Sequence, residues 1–239
     1  MNTVEIQNIR FTNCTMDGFL HVLEKRLTNG QKTFVVTANP EIVMYANKDR
    51  EYFETLSKAD YIVPDGIGVV IASKILKKPL QERVAGFDLM GNLLRLAEKR
   101  KLKVYLLGAK EKTIENAVKN IKLIHPQLQL VGYHHGYFDI DDETIAESIA
   151  RLEPDIVFVA LGFPKQELWI ERYLHRFHKG LFMGVGGSFD VWAGEAKRAP
   201  RIWINFHLEW LYRLLQEPSR IKRMIVLPQF IFRVISQRK

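Results

Sequence analysis

Six turns in this 239-residue chain follow short runs of β-branched and aromatic residues, and they hold most of the side chains able to do chemistry. Asp65 lies in VPDGIG, where an apolar strand ends in a carboxylate followed by glycine. Burial beside apolar residues would raise its proton affinity and suit it to general base work. The same placement also fits a helix N-cap. Thr37 and Asn39, in TFVVTANPE, could hydrogen-bond a sugar or a diphosphate, or cap the helix that Pro40 opens. Gln166, in GFPKQELW beside Lys165, offers a donor pair to a polar ligand or caps its own helix. Arg83, in QERVAGFD, is able to clamp an anion or to pair with Glu82 or Asp88.

Gly108 and Lys110 in LGAKE, and Gly186 and Gly187 in GVGGSF, open the backbone to a phosphate, whose oxygens N–H groups at a helix start can meet. Each turn is equally readable as a tight connection. There is no GxxxxGK[ST], and GVGGSF lacks the dinucleotide spacing, which counts against ATP hydrolysis and NAD binding. DID (139–141) resembles a cation-holding Asp pair but sits in DIDDE, which reads as a solvated helix start. His134 and His135 are expected to point apart, and His175 and His178 have no third ligand nearby, so no metal site is expected.

These turns need a frame. Strand patterns occur at 33–38, 61–64, 103–108, 128–133, 155–162 and 181–187, with amphipathic segments near 41–57, 87–100, 111–124, 142–152 and 164–178. Continuous apolar strands alternating with helices predict an α/β fold, a mainly parallel, Rossmann-like sheet with helices on both faces. Ligands then sit beyond the carboxyl ends of the strands, where the polar turns lie.

The charge is unevenly spread. Of 35 basic and 27 acidic residues, ten basic and two acidic ones lie in 197–239, so that segment carries the whole excess of +8. It is also apolar: Ile202, Trp203, Phe206, Trp210, Leu211, Leu214 and Leu215 recur at helical spacing. Two parts are expected, an α/β catalytic domain over 1–195 and a basic, amphipathic helical appendage over 196–239. MIVLPQFIF (224–232) is far short of the roughly 20 apolar residues of a membrane span, so it could lie on a membrane but not cross one. The start MNTVEIQNIRFTN is not a secretory signal, and the lone Cys14 fits a reducing compartment, so a cytoplasmic location is expected. A nucleic-acid-binding protein is the rival from another class, which a pI near 9.5 permits and the broad aliphatic face argues against.

The motifs TANPEIV (37–43), VPDGIGVV (63–70), RVAGFDL (83–89), LGAKE (107–111), HGYF (135–138), LGFPKQELW (161–169), GVGGSFDVWAG (184–194), KRAP (197–200) and LEWLYRLLQEPSRIKR (208–223) together resemble the WecG/TagA/CpsF family of bacterial glycosyltransferases, glycosyltransferase family 26. The resemblance covers about residues 5–235. It implies transfer of an N-acetylmannosamine-type sugar from a UDP-sugar donor to N-acetylglucosamine on an undecaprenyl-diphosphate-linked acceptor, with inversion and without a required metal or other cofactor. The wording is most similar to the wall teichoic acid branch, with the uronic acid branch as the alternative. It places the base at Asp65, donor or acceptor contacts at Thr37 and Gln166, and pocket-lining positions at Arg83 and Asp190. Arg213, Arg220 and Arg223 fall in the family's C-terminal appendage, which resembles a lid at the anionic inner leaflet. No nucleic acid partner is implied, and homo-oligomer formation stays open.

Overall fold

The computed structural model describes residues 1–206, 208–216 and 225–237, with the side chains of Arg201, Asn205 and Arg213 left out. Arg220 and Arg223 lie outside the described residues, as does the Arg213 side chain.

The chain opens with a hairpin of β1 (Thr3–Ile6) and β2 (Ile9–Thr12). Its two-residue turn, Gln7-Asn8, has both φ angles positive, at 49° and 64°, which matches the twist of the flanking strands. Then come α1 (Met16–Thr28), β3 (Thr33–Ala38), α2 (Pro40–Ala46), α3 (Arg50–Ser57), β4 (Tyr61–Pro64), α4 (Ile67–Ile75), α5 (Gly86–Arg100), β5 (Lys103–Gly108), α6 (Glu111–Ile124) and β6 (Gln129–His134). The body closes with α7 (Glu143–Arg151), β7 (Ile156–Ala160), α8 (Lys165–Tyr173), β8 (Leu181–Gly184) and α9 (Ser188–Trp192). The helix expected over 41–57 is two helices. Asn47 ends α2, its side-chain amide donating to the Val43 and Gln7 carbonyls, and Asp49 caps α3 by accepting from the Tyr52 N–H.

The main sheet is parallel, as the alternating pattern predicts, and its strand order is β4-β3-β8-β7-β5-β6. Alternation along each strand feeds two cores. Phe34, Val36, Val157 and Phe182 face one layer with Tyr52 and Trp169; Val35, Val63, Phe158 and Met183 face the other with Leu89, Leu93 and Phe189. Cys14 belongs to the second core, where burial and then the nearby charge of Glu82 push its thiol up to about 11, so it packs as a small apolar residue.

Beyond the body lie α10 (Arg201–Asn205), α11 (Glu209–Gln216) and α12 (Val226–Ser236). The last is not merely a surface helix. Phe230 and Val234, four apart and therefore on one face, are fully buried in the first core against α2 and α4. Gly68 permits this approach, since a Cβ there would meet Leu227 Cδ1 at 2.5 Å and Pro40 Cγ at 2.7 Å. Pro228 is tolerated because it falls in the first turn of α12, where its missing N–H has no intrahelical partner to lose. Opposite this face, Ile225, Phe232 and Ile235 are exposed, and Ile202, Phe206 and Leu215 are exposed on α10, the residue after it and α11. No helix among the described residues is long and apolar enough to cross a membrane.

Candidate functional site

Three of the side chains singled out in the sequence converge at the carboxyl edge of β3 and β4. Pairing of Thr37 with Val63 puts Val35, Thr37, Val63 and Asp65 on one face, so the apolar stripe covered by α5 ends in a hydroxyl and a carboxylate. The Asp65 N–H donates to the Ala38 carbonyl at 2.9 Å, which fixes the turn. Asp65 Oδ2 accepts from the Gly86 N–H at 3.3 Å, and Oδ1 accepts from Arg83 Nη2 at 3.3 Å. A Cβ on Gly86 would lie 2.8 Å from the Thr37 hydroxyl and 3.4 Å from Asp65 Oδ2, so glycine is what lets α5 begin this close to both.

Asp65 therefore differs from the apolar burial expected for it. Its side chain is 29% exposed and takes two hydrogen bonds, one from the first amide of α5, so it joins the two readings of the sequence, a helix-start acceptor and an accessible carboxylate. Arg83 differs too. It pairs with neither Glu82 nor Asp88 but with Asp65 and, at 2.9 Å, with Glu209 of α11, and its own side chain is only 18% exposed. Burial alone would lower the proton affinity of the guanidinium; the charges of Asp65 and Glu209 outweigh that and raise it above the ordinary arginine value. Its Nε is buried without a partner among the described residues, so the fork has donor capacity left.

Asn39 caps α2, its Oδ1 accepting from the Ile42 N–H at 3.0 Å, so of the Thr37/Asn39 pair it is Asn39 that caps. Gln166 is buried with both amide ends engaged: Oε1 accepts from the Gly186 N–H at 3.0 Å and Nε2 donates to Glu167 at 2.7 Å. Gln166 and Gly186 thus form one unit at the end of β8, next to β3, with Gly187 and Asp190 just beyond; a Cβ on Gly187 would lie 3.1 Å from Asp190 Oδ2. Gly108 and Lys110 stand apart, at the end of β5, which is separated from β8 by β7. Gly108 has φ +127° and passes so close to β7 that a Cβ would meet the Ala160 carbonyl at 2.4 Å, which explains that glycine by packing.

His134 and His135 do not point apart; their rings are 4.4 Å apart, because His134 Nδ1 bonds to the His135 carbonyl and holds the first ring over the second. In DIDDE, Asp142 caps α7 through the Thr144 N–H, and hydrogen bonding to Thr144 holds its carboxyl below the usual range. Among the described residues no three His, Cys, Asp or Glu side chains are grouped to hold a metal ion.

Sequence reasoning passed over Glu167 and Glu209. Glu167 is fully buried beside Gln166, and burial pushes its carboxyl up to about 7 against the hydrogen bond from Gln166, which favours the charged form. Because the folded state holds this proton more tightly than the unfolded chain does, its contribution to stability is present below about pH 4.5 and is lost as pH rises through about 7. Glu167→Gln keeps an acceptor for Gln166 and removes the ionisation. It should leave thermal stability near pH 4.5 little changed and raise it by several degrees at pH 8, a relief of about 3 kcal/mol, as read by melting curves across pH.

The sequence profile of the glycosyl transferase WecG/TagA/CpsF family matches residues 4–239. The chain belongs to this family. It is 44% identical over 241 residues to the N-acetylglucosaminyldiphosphoundecaprenol N-acetyl-beta-D-mannosaminyltransferase of Bacillus subtilis (strain 168), covering 100% of this chain and 93% of the relative. The proteins of the same name from Bacillus spizizenii (strain ATCC 23059 / NRRL B-14472 / W23) and Staphylococcus aureus (strain MW2) are 42% and 40% identical, covering 100% and 99% of this chain and 93% of each relative. In this family member the match runs through the body and the C-terminal helices alike, so the cluster of Asp65, Arg83 and Glu209 lies wholly within it.

Proposed function

We propose that the chain is an inverting hexosyltransferase that moves N-acetylmannosamine from UDP-N-acetylmannosamine to the 4-hydroxyl of N-acetylglucosaminyl-diphospho-undecaprenol, forming a β-1,4 linkage in teichoic acid linkage-unit synthesis. The full-length similarity to transferases of that name supports the substrates. The observation that carries the chemistry is the accessible Asp65 carboxylate at the sheet's carboxyl edge, with Arg83 against it and Thr37 beside it.

Asp65 takes the proton of the acceptor hydroxyl as its oxygen attacks the donor's anomeric carbon from the face opposite the diphosphate. The bond from that carbon to the diphosphate oxygen breaks, and its electron pair leaves with UDP. One positioned base contributes typically ~10²–10⁴-fold. Charge growing on the diphosphate calls for donors already in place, and Arg83, whose Nε has no partner among the described residues, is suited to it, because a planar guanidinium meets two phosphate oxygens at once. Arg213, Arg220 and Arg223 are proposed to help offset that charge from the appendage. Thr37 is a hydroxyl for the sugar, and Gln166 acts by holding the Gly186–Gly187 turn against β8.

The division into a catalytic body, 1–195, and a docking appendage, 196–239, belongs to the same proposal, as does attachment to the cytoplasmic face of the membrane. Ile202, Phe206, Leu215, Phe232 and Ile235 are exposed apolar side chains amid the basic excess of this segment, and each basic residue near an anionic leaflet contributes about 1 kcal/mol. Vesicles with anionic lipid should retain the protein and release it as salt rises, whereas duplex DNA should not retain it. Retention by DNA with none by vesicles would refute the docking role.

A further inference from the structure

We propose that Glu209, on the appendage helix α11, is a positioning residue for the transfer: it draws on Arg83 and so keeps the guanidinium from closing on Asp65. This rests on Asp65 being the base. The geometry is a single nitrogen shared between two carboxylates. Arg83 Nη2 is 2.9 Å from Glu209 Oε2 and 3.3 Å from Asp65 Oδ1, so the appendage residue has the shorter contact and the base the longer. Asp65 Oδ2 accepts from the Gly86 N–H and Oδ1 from Arg83, both at 3.3 Å, and of the two donors only the arginine is a side chain that can draw back and leave its oxygen to an incoming hydroxyl. A charge-assisted N–H···O⁻ bond ordinarily closes to about 2.7–2.9 Å, the distance reached at Glu209 and not at Asp65.

Burial gives the sharing its force. The Glu209 side chain is 9% exposed and that of Arg83 18%, so water screens neither well, and a buried cation deprived of one anionic partner turns to the other. Without the Glu209 charge, Arg83 has Asp65 as its remaining described carboxylate, and the pair would tighten on the oxygen that must take a proton. Glu209 does not hold the appendage alone. Arg198 reaches Asp88 at 2.6 Å and lies 4.7 Å over the Phe87 ring, so the appendage is also tied to the first turn of α5, and Phe230 and Val234 anchor α12 in the core. A charge change at Glu209 therefore acts on the Arg83–Asp65 contact without releasing the segment.

The test uses the full chain with Glu209→Gln, which keeps shape and removes charge, and Glu209→Asp, which keeps charge. Three quantities are read: kcat and donor KM for transfer from UDP-N-acetylmannosamine to the lipid-diphosphate acceptor, and the rate of tryptic cleavage after Lys197. Glu209→Gln should lose kcat about tenfold with donor KM and cleavage rate each within about twofold, and Glu209→Asp should recover most of the loss. An unchanged kcat in Glu209→Gln with an active wild type overturns the positioning role alone. Loss of kcat together with faster cleavage reduces Glu209 to a docking contact and overturns it too. A wild-type chain that transfers no sugar overturns the proposed function and this inference with it.

Discussion

Asp65→Asn should abolish transfer while leaving UDP binding close to that of the wild type. Asn has the same shape, and its amide oxygen can still accept from Arg83 or the Gly86 N–H, so the turn after β4 and the start of α5 keep their geometry. What is lost is the ability to take a proton, and with it the ~10²–10⁴-fold that a positioned base supplies. Initial rates and calorimetric titration with UDP separate the two effects. Turnover near the wild-type rate would remove Asp65 from the base role, and loss of UDP affinity in step with rate would make it a binding residue.

Truncation after residue 196 has the second large effect, and here the fold changes what is expected. From the sequence, the tail looks detachable, a basic appendage on a neutral body. In the structure, the cut removes Glu209 from Arg83, Arg198 from Asp88, and Phe230 and Val234 from the core between α2 and α4. The six-stranded sheet keeps its own helices on both faces, so the body should still fold, but with turnover gone and with a lowered melting temperature. Phe230→Ala in the full chain isolates the packing part. Filling such a site is worth about 3–5 kcal/mol, and denaturant titration should show that loss while transfer persists at temperatures where the variant is folded. Full activity in the truncated chain would make the appendage dispensable for catalysis.

The parallel sheet was legible because most of its strands are apolar runs ending in a polar turn: TFVVTA, YIVP and KVYLLG coincide with β3, β4 and β5. The hairpin β1-β2 was not, since its strands are four residues each and Gln7-Asn8 lacks the Asn-Gly signal of a two-residue turn. Helix α4, IGVVIASKI, escaped because it is apolar nearly all round and shows no 3.6-residue period to read.

At the site, residues near the strand ends were within reach of sequence reasoning, and partners across the fold were not. Asp65, Thr37 and Arg83 are separated by up to 46 positions yet adjacent in space because β3 and β4 pair in register and α5 begins beside them. Glu209 could not be placed: it is 126 positions from Arg83, one of two acids in a basic segment, and nothing in its neighbours marks it as buried. Gln166 read as a ligand donor or a helix cap, because its partner across the fold, the Gly186 N–H, meets it only when α8 packs on β8.

The most direct measurement is the mass of the lipid-linked product after incubation with N-acetylglucosaminyl-diphospho-undecaprenol and either UDP-N-acetylmannosamine or its uronic acid counterpart. Gain of one N-acetylhexosamine from the first donor, with UDP released in equal amount, is the predicted result. An acceptor whose mass is unchanged with that donor, or that gains mass only from the uronic acid donor, would contradict it.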